Sequence, residues 1–261
     1  MDGSDIPLAL AGGRAATGLP QTPLSVGGLE FGRPGPVDTP RSRPLVTVGA
    51  RRTMNAREFR LTAQVNAVAL RLRSLMTGNA AAVLHVTAAA GGEGVSTVAR
   101  ELVHAAARMQ WCKVLLLDGN PGGNDQSRAL RAPLPDIVMG YAERSAIQVL
   151  AVESDGCEFH AALWPSNVSV TGISVVPVLG RLLHAAYDLI VLDCPPILTH
   201  PHLPAISDRA SQVLLVIRSE ESSVESVRRA KQEIEVLHGS VWGAVLTGKR
   251  RIVPGMLDRR F

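Results

Sequence analysis

Residues 89–97 read Ala-Ala-Gly-Gly-Glu-Gly-Val-Ser-Thr. A glycine loop closed by a hydroxyl pair suits one kind of chemistry, the holding of phosphate groups. Glycines let successive backbone N–H groups come close to an anion, and a helix starting at the loop adds its positive dipole end. In a complete phosphate loop a lysine then reaches the outer phosphates, and Ser or Thr binds magnesium. Gly91, Gly92, Glu93, Gly94, Ser96 and Thr97 keep the loop and the hydroxyls, and Val95 stands where the lysine belongs. Taken alone, the stretch fits a tight strand-to-helix turn as well as a nucleotide site.

Two carboxylates extend the pattern. Asp118 ends the apolar run Lys113–Asp118, and Asp193 ends Asp188–Asp193, just before Cys194-Pro195-Pro196. Carboxylates at strand ends of a parallel sheet reach the same edge as the loop. There Ser96, Asp118 and Asp193 form the candidate magnesium set, holding the ion directly or through water. Other candidates are weaker. His200 and His202 lack further metal ligands and read as loop histidines. Cys194 reads as a small packing residue. Arg228, Arg229 and Lys231 read as a solvated helix face.

The elements that position these residues alternate. Ala82–Thr87 is a buried-strand run, Ser96–Met109 a helix, and Lys113–Asp118 a second strand. Glu158–Trp164 reads as a strand and Ile173–Ala186 as a helix. Asp188–Asp193, Val213–Ile217 and Val241–Leu246 read as strands, and Ser222–Leu237 as a helix. Upstream, Arg57–Met76 has helical spacing at Phe59, Val65, Val68 and Leu72. The expected fold class is α/β: a doubly wound, mostly parallel, P-loop NTPase-like sheet with ligands at the carboxyl ends of its strands. A domain is expected over residues 56–261. It is preceded by a disordered Gly/Pro-rich arm over residues 1–55, broken by Gly27-Gly28, Pro34-Gly35-Pro36 and Pro40.

Composition agrees. Of 261 residues, 46% are hydrophobic and only 3% aromatic, so the core must be aliphatic, as in a sheet covered on both faces. The net charge of +4 is ordinary solubility charge. Cys112, Cys157 and Cys194 match no disulfide or metal framework, which points to a reducing cytoplasm. No signal peptide or membrane span is evident. No basic patch interleaved with aromatics suggests nucleic acid. The tail from Gly248 to Phe261 carries Lys249, Arg250, Arg251, Arg259 and Arg260, and reads as solvated, with membrane-surface or partner docking as the alternative.

The segments VTAAAGGEGVSTVARELVHAAA, KVLLLDGNPGG and YDLIVLDCPPIL, in that order, resemble the bacterial tyrosine-kinase (BY-kinase) family of exopolysaccharide and capsule synthesis. The resemblance runs from about Arg57 to the end of the chain. It implies a cytoplasmic nucleotide-binding module at the inner face of the plasma membrane. It also implies a membrane polysaccharide co-polymerase as partner, and a homo-oligomer or a hetero-oligomer with a kinase homologue. Several family features are missing. Val95 replaces the loop lysine, Asn120 and Gly122 replace the second Asp and the Arg of Asp-x-Asp-x-Arg, and His202 falls where a later Asp is usual. Asp193, Pro195 and Pro196 keep the third motif. Of the oligomerisation motif Glu-x-x-Arg-x-x-Arg, Arg60 matches, while Arg57 and Ala63 do not. Tyr141 and Tyr187 are the only tyrosines, so a C-terminal tyrosine cluster is lacking.

The expected function is therefore a degenerate, catalytically inactive kinase-like accessory protein, with ATP and magnesium bound weakly or not at all. One alternative is an active autokinase or ATPase that takes a compensating cation such as Lys249 or Arg14. The other is a relative of partition or positioning ATPases, which normally carry a lysine early in the loop, where Ala89 or Ala90 stands here.

Overall fold

The run Val114–Asp118 is buried at every position, and so is Leu189–Asp193. Only a strand covered on both faces is apolar without alternation, so both must lie inside a sheet with helices above and below it. In the computed structural model they are neighbours in an eight-stranded sheet. The structure describes residues 46–59, 63–76, 81–110, 112–120, 125–137, 147–164, 180, 183–201 and 212–248.

The strands are β1 (Val46–Thr53), β2 (Ala82–Ala88), β3 (Val114–Asp118), β4 (Ile147–Ser154), β5 (Cys157–Leu163), β6 (Leu189–Asp193), β7 (Gln212–Arg218) and β8 (Ser240–Thr247). The helices are α1 (Ala63–Leu72), α2 (Val95–Arg108), α3 (Asp125–Leu130) and α4 (Val224–Val236). The sheet order is β1-β4-β5-β3-β6-β2-β7-β8, and every neighbouring pair is parallel except β4–β5. From β2 the chain crosses to β3 on one side, and from β6 it crosses to β7 on the other, so the crevice for a ligand opens beside β2.

Alternate residues of the central strands feed two cores. Leu84, Val86, Leu116 and Val191 pack with α1 and α2 on one face. Leu115, Leu117, Ile190 and Leu192 pack with Val149, Leu183 and Tyr187 on the other. Helix α2 supplies most of the first cover, with Val98, Ala99, Leu102, Val103, Ala105 and Ala106 buried. Helix α4 is lighter. It buries Ala230 and Ile234, and the Ser223 hydroxyl caps it by accepting from the Ser226 N–H at 3.0 Å. Its outer face carries the pairs Arg228–Glu225 and Lys231–Glu235 in solvent.

Three expectations need correction. The arm expected to be disordered as far as residue 55 is not so over its last described residues. Val46–Thr53 form edge strand β1, laid parallel on β4 and pinned where Arg51 meets Glu153 and Glu158. Residues 1–45 lie outside the described residues. The continuous helix over 57–76 is not formed either. Residues Ala56–Glu58 make a single 3-10 turn closed by a capping box between Asn55 and Glu58, and Phe59 is then extended and buried. Arg57 and Ala63 of the degraded oligomerisation motif therefore do not share one helix, and Arg60 is outside the described residues. Finally, β4 was not foreseen, although Asp155-Gly156 forms the two-residue turn that joins it to β5, with φ of +48° and +74°. The helix expected over Ile173–Ala186 falls largely outside the described residues, of which 183–186 are helical.

Phe59 has a specific reason to turn inward. Its ring stacks on the His104 imidazole of α2 at 3.8 Å and 8°. His104 is fully buried, and neither ring nitrogen has a hydrogen-bond partner. Burial, with Arg108 adding to it, pushes the imidazole down to about 4 from an ordinary 6.5. The fold thus keeps the neutral ring. This stabilisation is complete above pH 6.5 and is lost as pH falls towards 4, because the unfolded chain takes up the proton first. The loss is on the order of 3 kcal/mol. His104→Phe keeps the stack and removes the titration, and its acid-unfolding midpoint is expected at lower pH than that of the wild type. An unchanged midpoint in circular dichroism would show that other groups set acid stability.

Candidate functional site

The loop between β2 and α2 sits at the carboxyl edge of the sheet. Gly92 and Gly94 have φ of +83° and +95°, in the left-handed region that side chains resist. No atom lies closer than 3.8 Å to where a Cβ on Gly94 would stand, and the nearest belong to Thr247. The cost of Gly94→Ala is therefore conformational. It is expected at roughly 1–2 kcal/mol in urea unfolding, and a neutral result would show that the loop relaxes freely.

Three tethers hold the loop. The Ala90 N–H donates to Glu93 Oε1 at 3.1 Å. The Thr247 hydroxyl, at the end of β8, donates to the Glu93 carbonyl at 2.7 Å. Arg218, at the end of β7, donates to the Gly92 carbonyl at 2.8 Å and pairs with Glu221 at 2.9 Å. Gly91 and Gly92 are exposed, so backbone at the loop's crown faces solvent. Val95 opens α2, half-buried against the apolar cluster beneath. Ser96 is half-buried and Thr97 exposed.

The carboxylates come together as expected. Asp118 and Asp193 are register partners on β3 and β6, and both are almost fully buried. Their surroundings differ. Asp118 Oδ1 accepts from the Asn120 N–H at 3.1 Å, while Oδ2 is buried without a partner. Burial holds its carboxyl up to about 7, and the neighbouring Asp193 adds to this. Burial raises Asp193 too, opposed by hydrogen bonds from Gln126 and Ser96. Gln126 lies on α3 and is fully buried. Its Nε2 donates to Asp193 Oδ2 at 2.7 Å and to the Ser96 carbonyl at 2.8 Å, and its Oε1 accepts from Arg100 at 3.2 Å.

The structure thus brings Gly91–Thr97, Asp118 and Asp193 to one edge. The weaker candidates stay apart from this arrangement. Cys194 packs in the core, its thiol pushed up by burial. His200 Nδ1 meets the Thr199 hydroxyl at 3.0 Å. His202, Gly122 and Lys249 lie outside the described residues. Among the described residues no group of three His, Cys, Asp or Glu gathers as a metal set. Sequence reasoning missed Gln126, Arg100, Arg218 and Thr247. Two signals were available. Arg218 and Thr247 end apolar strands, where ligand edges lie. Gln126 and Leu130 share the inward face of α3 at helical spacing.

A parallel sheet with a strand–glycine loop–helix unit beside its switch point, and paired aspartates at the same edge, defines a P-loop NTPase-like protein. No protein-family model matches the chain. In sequence it is 26% identical over 181 residues to the tyrosine-protein kinase YwqD of Bacillus subtilis (strain 168), across 63% of this chain and 71% of that one. In fold it is similar to the chimerical protein CapA2B2, with a TM-score of 0.58 and 18% identity over 79% of this chain and 96% of that one. It is also similar to the kinase domain of the Escherichia coli tyrosine kinase ETK, with a TM-score of 0.52 and 18% identity over 80% and 92%. The chain is thus similar in sequence to a tyrosine-protein kinase and shares the fold of a tyrosine-kinase domain.

Proposed function

We propose that this chain is a kinase-like protein without kinase activity, an accessory in exopolysaccharide synthesis and export. It docks on the cytoplasmic segment of a membrane polysaccharide co-polymerase, at the inner face of the plasma membrane, as an oligomer with itself or with an active homologue. Val95 carries this reading. An aliphatic side chain packed on the core stands where a lysine would face the outer phosphates. Removing one such electrostatic group typically costs about 2.7–4 kcal/mol of transition-state stabilisation. Tyr141 lies outside the described residues, and the state of Tyr187 supports the reading as well. Tyr187 is buried, with its hydroxyl 2.9 Å from His160 Nδ1, and is no accessible phosphate acceptor. No helix among the described residues is long and apolar enough to cross a membrane.

A second reading, an active ATPase with a compensating cation, has one observation in its favour: Arg218 reaches the loop itself. Incubation of the purified chain with labelled ATP and magnesium separates the two readings. The expected result is no phosphotyrosine, and phosphate release at background. Turnover that disappears in Asp193→Ala would overturn the first reading, and turnover that also disappears in Arg218→Ala would establish the second.

A further inference from the structure

We propose that the Gln126 carboxamide occupies the Asp193 oxygen that a divalent cation would need, so that this loop holds nucleotide phosphates without magnesium. The proposal rests on reading residues 89–97 as a phosphate loop. In P-loop proteins the metal is held by the loop Ser or Thr and by a strand-end aspartate, here Ser96 and Asp193. The Ser96 side chain is hydrogen-bonded to Asp193 directly, and Gln126 Nε2 covers Asp193 Oδ2 at 2.7 Å, anchored at 2.8 Å by the Ser96 backbone carbonyl.

The orientation of an amide follows from its partners, and here two partners agree. The Ser96 carbonyl only accepts, so it demands the NH2 end. Arg100 only donates, so it demands the oxygen end, 3.2 Å away. Turning the amide over to offer its oxygen to a cation would set oxygen against oxygen at Ser96 and N–H against N–H at Arg100. The NH2 group thus holds an N–H donor on an Asp193 oxygen that magnesium would require. Gln126 is fully buried, so water does not replace these bonds.

The donor also performs the structural work of a cation. It ties the start of α2 to the end of β6 and gives the buried Asp193 carboxylate a partner. Asp118 Oδ2, left without one, is an oxygen that a metal would have satisfied. It is the Gln126 donor on Asp193 that does not fit magnesium.

The probe is Mn²⁺ alone, added to the full chain without nucleotide and followed by its paramagnetic resonance signal. Wild type is expected to show no saturable binding at millimolar metal. Gln126→Glu removes the N–H donors and adds a third carboxylate beside Asp118 and Asp193. It is expected to bind Mn²⁺ at least about tenfold more tightly than wild type. Gln126→Ala opens the same space and is expected to gain affinity to a smaller degree. Saturable binding by wild type that is lost in Asp193→Asn overturns the proposal, as does a failure of both folded Gln126 variants to gain affinity. A parallel titration follows ATP binding to wild type with magnesium and with EDTA. Equal affinities support the proposal, and tighter binding with magnesium by about tenfold or more overturns it. Absence of ATP binding under both conditions refutes the nucleotide reading instead, and the Mn²⁺ measurement still decides the role of Gln126.

Discussion

Val95→Lys is expected to tighten ATP binding by about tenfold to a hundredfold, the worth of one hydrogen bond from a charged donor. Position 95 is the first residue of α2, directly after the left-handed Gly94. A side chain there leaves the helix at its positive end, beside the loop N–H groups. Valine spends that position on packing against the core and gives a bound phosphate no charge. A lysine stem is long enough to keep part of this contact while its ammonium group reaches solvent and phosphate. Calorimetry with ATP on wild type and variant makes the measurement. With an Asp193 oxygen covered by Gln126, the gain is expected to appear with EDTA as fully as with magnesium. Wild type that already binds ATP as tightly as Val95→Lys would show that the lysine is not what this loop lacks.

Phe159→Ala is expected to destabilise the fold by about 3–5 kcal/mol, among the largest single losses a core position gives. The chain has four phenylalanines, and two of them meet in one column. Phe159 on β5 is 1% exposed and meets Phe59 edge to face, at 6.2 Å and 81°. Phe59 in turn stacks on His104 of α2. The column joins the sheet to its main covering helix and to the turn before α1. In an otherwise aliphatic core, no second aromatic among these contacts is free to fill the space. Urea unfolding followed by circular dichroism should show a lower midpoint with an unchanged slope. A loss below about 1 kcal/mol would mean that the surrounding aliphatic side chains close the cavity.

Much of the sheet was legible because strands buried on both faces leave an unbroken apolar run. β2, β3, β6 and β7 are such runs, and their ends were read to within one or two residues. α2 was legible from its spacing and from the glycine before it. β4 carried a signal that went unused, the Asp155-Gly156 turn between two apolar stretches. β1 had none of comparable strength. Most of its residues face solvent, and its partner β4 lies about a hundred residues away, with Val46 opposite Ile147. Its pairing comes from that distant edge and from Arg51 reaching Glu153 and Glu158. The false continuous helix over 57–76 has a local cause. The Asn55–Glu58 box caps one turn, and burial of Phe59 against His104 outweighs the propensity to continue.

The sequence by itself determined what the loop contains. A glycine framework with Val95 in place of lysine is a covalent fact, and so is an intact pair of strand-end aspartates. Asp118 and Asp193 could be placed at one edge because parallel strands in successive units end together. Only the tertiary structure decided what Asp193 meets there. Gln126 is 67 positions from Asp193, on a short helix whose inward face is marked only by Gln126 and Leu130. Its amide is placed by three partners, Ser96 and Arg100 on α2 and Asp193 on β6. A buried polar group must find such partners or incur a large desolvation cost, and which partners it finds depends on packing that no local pattern encodes.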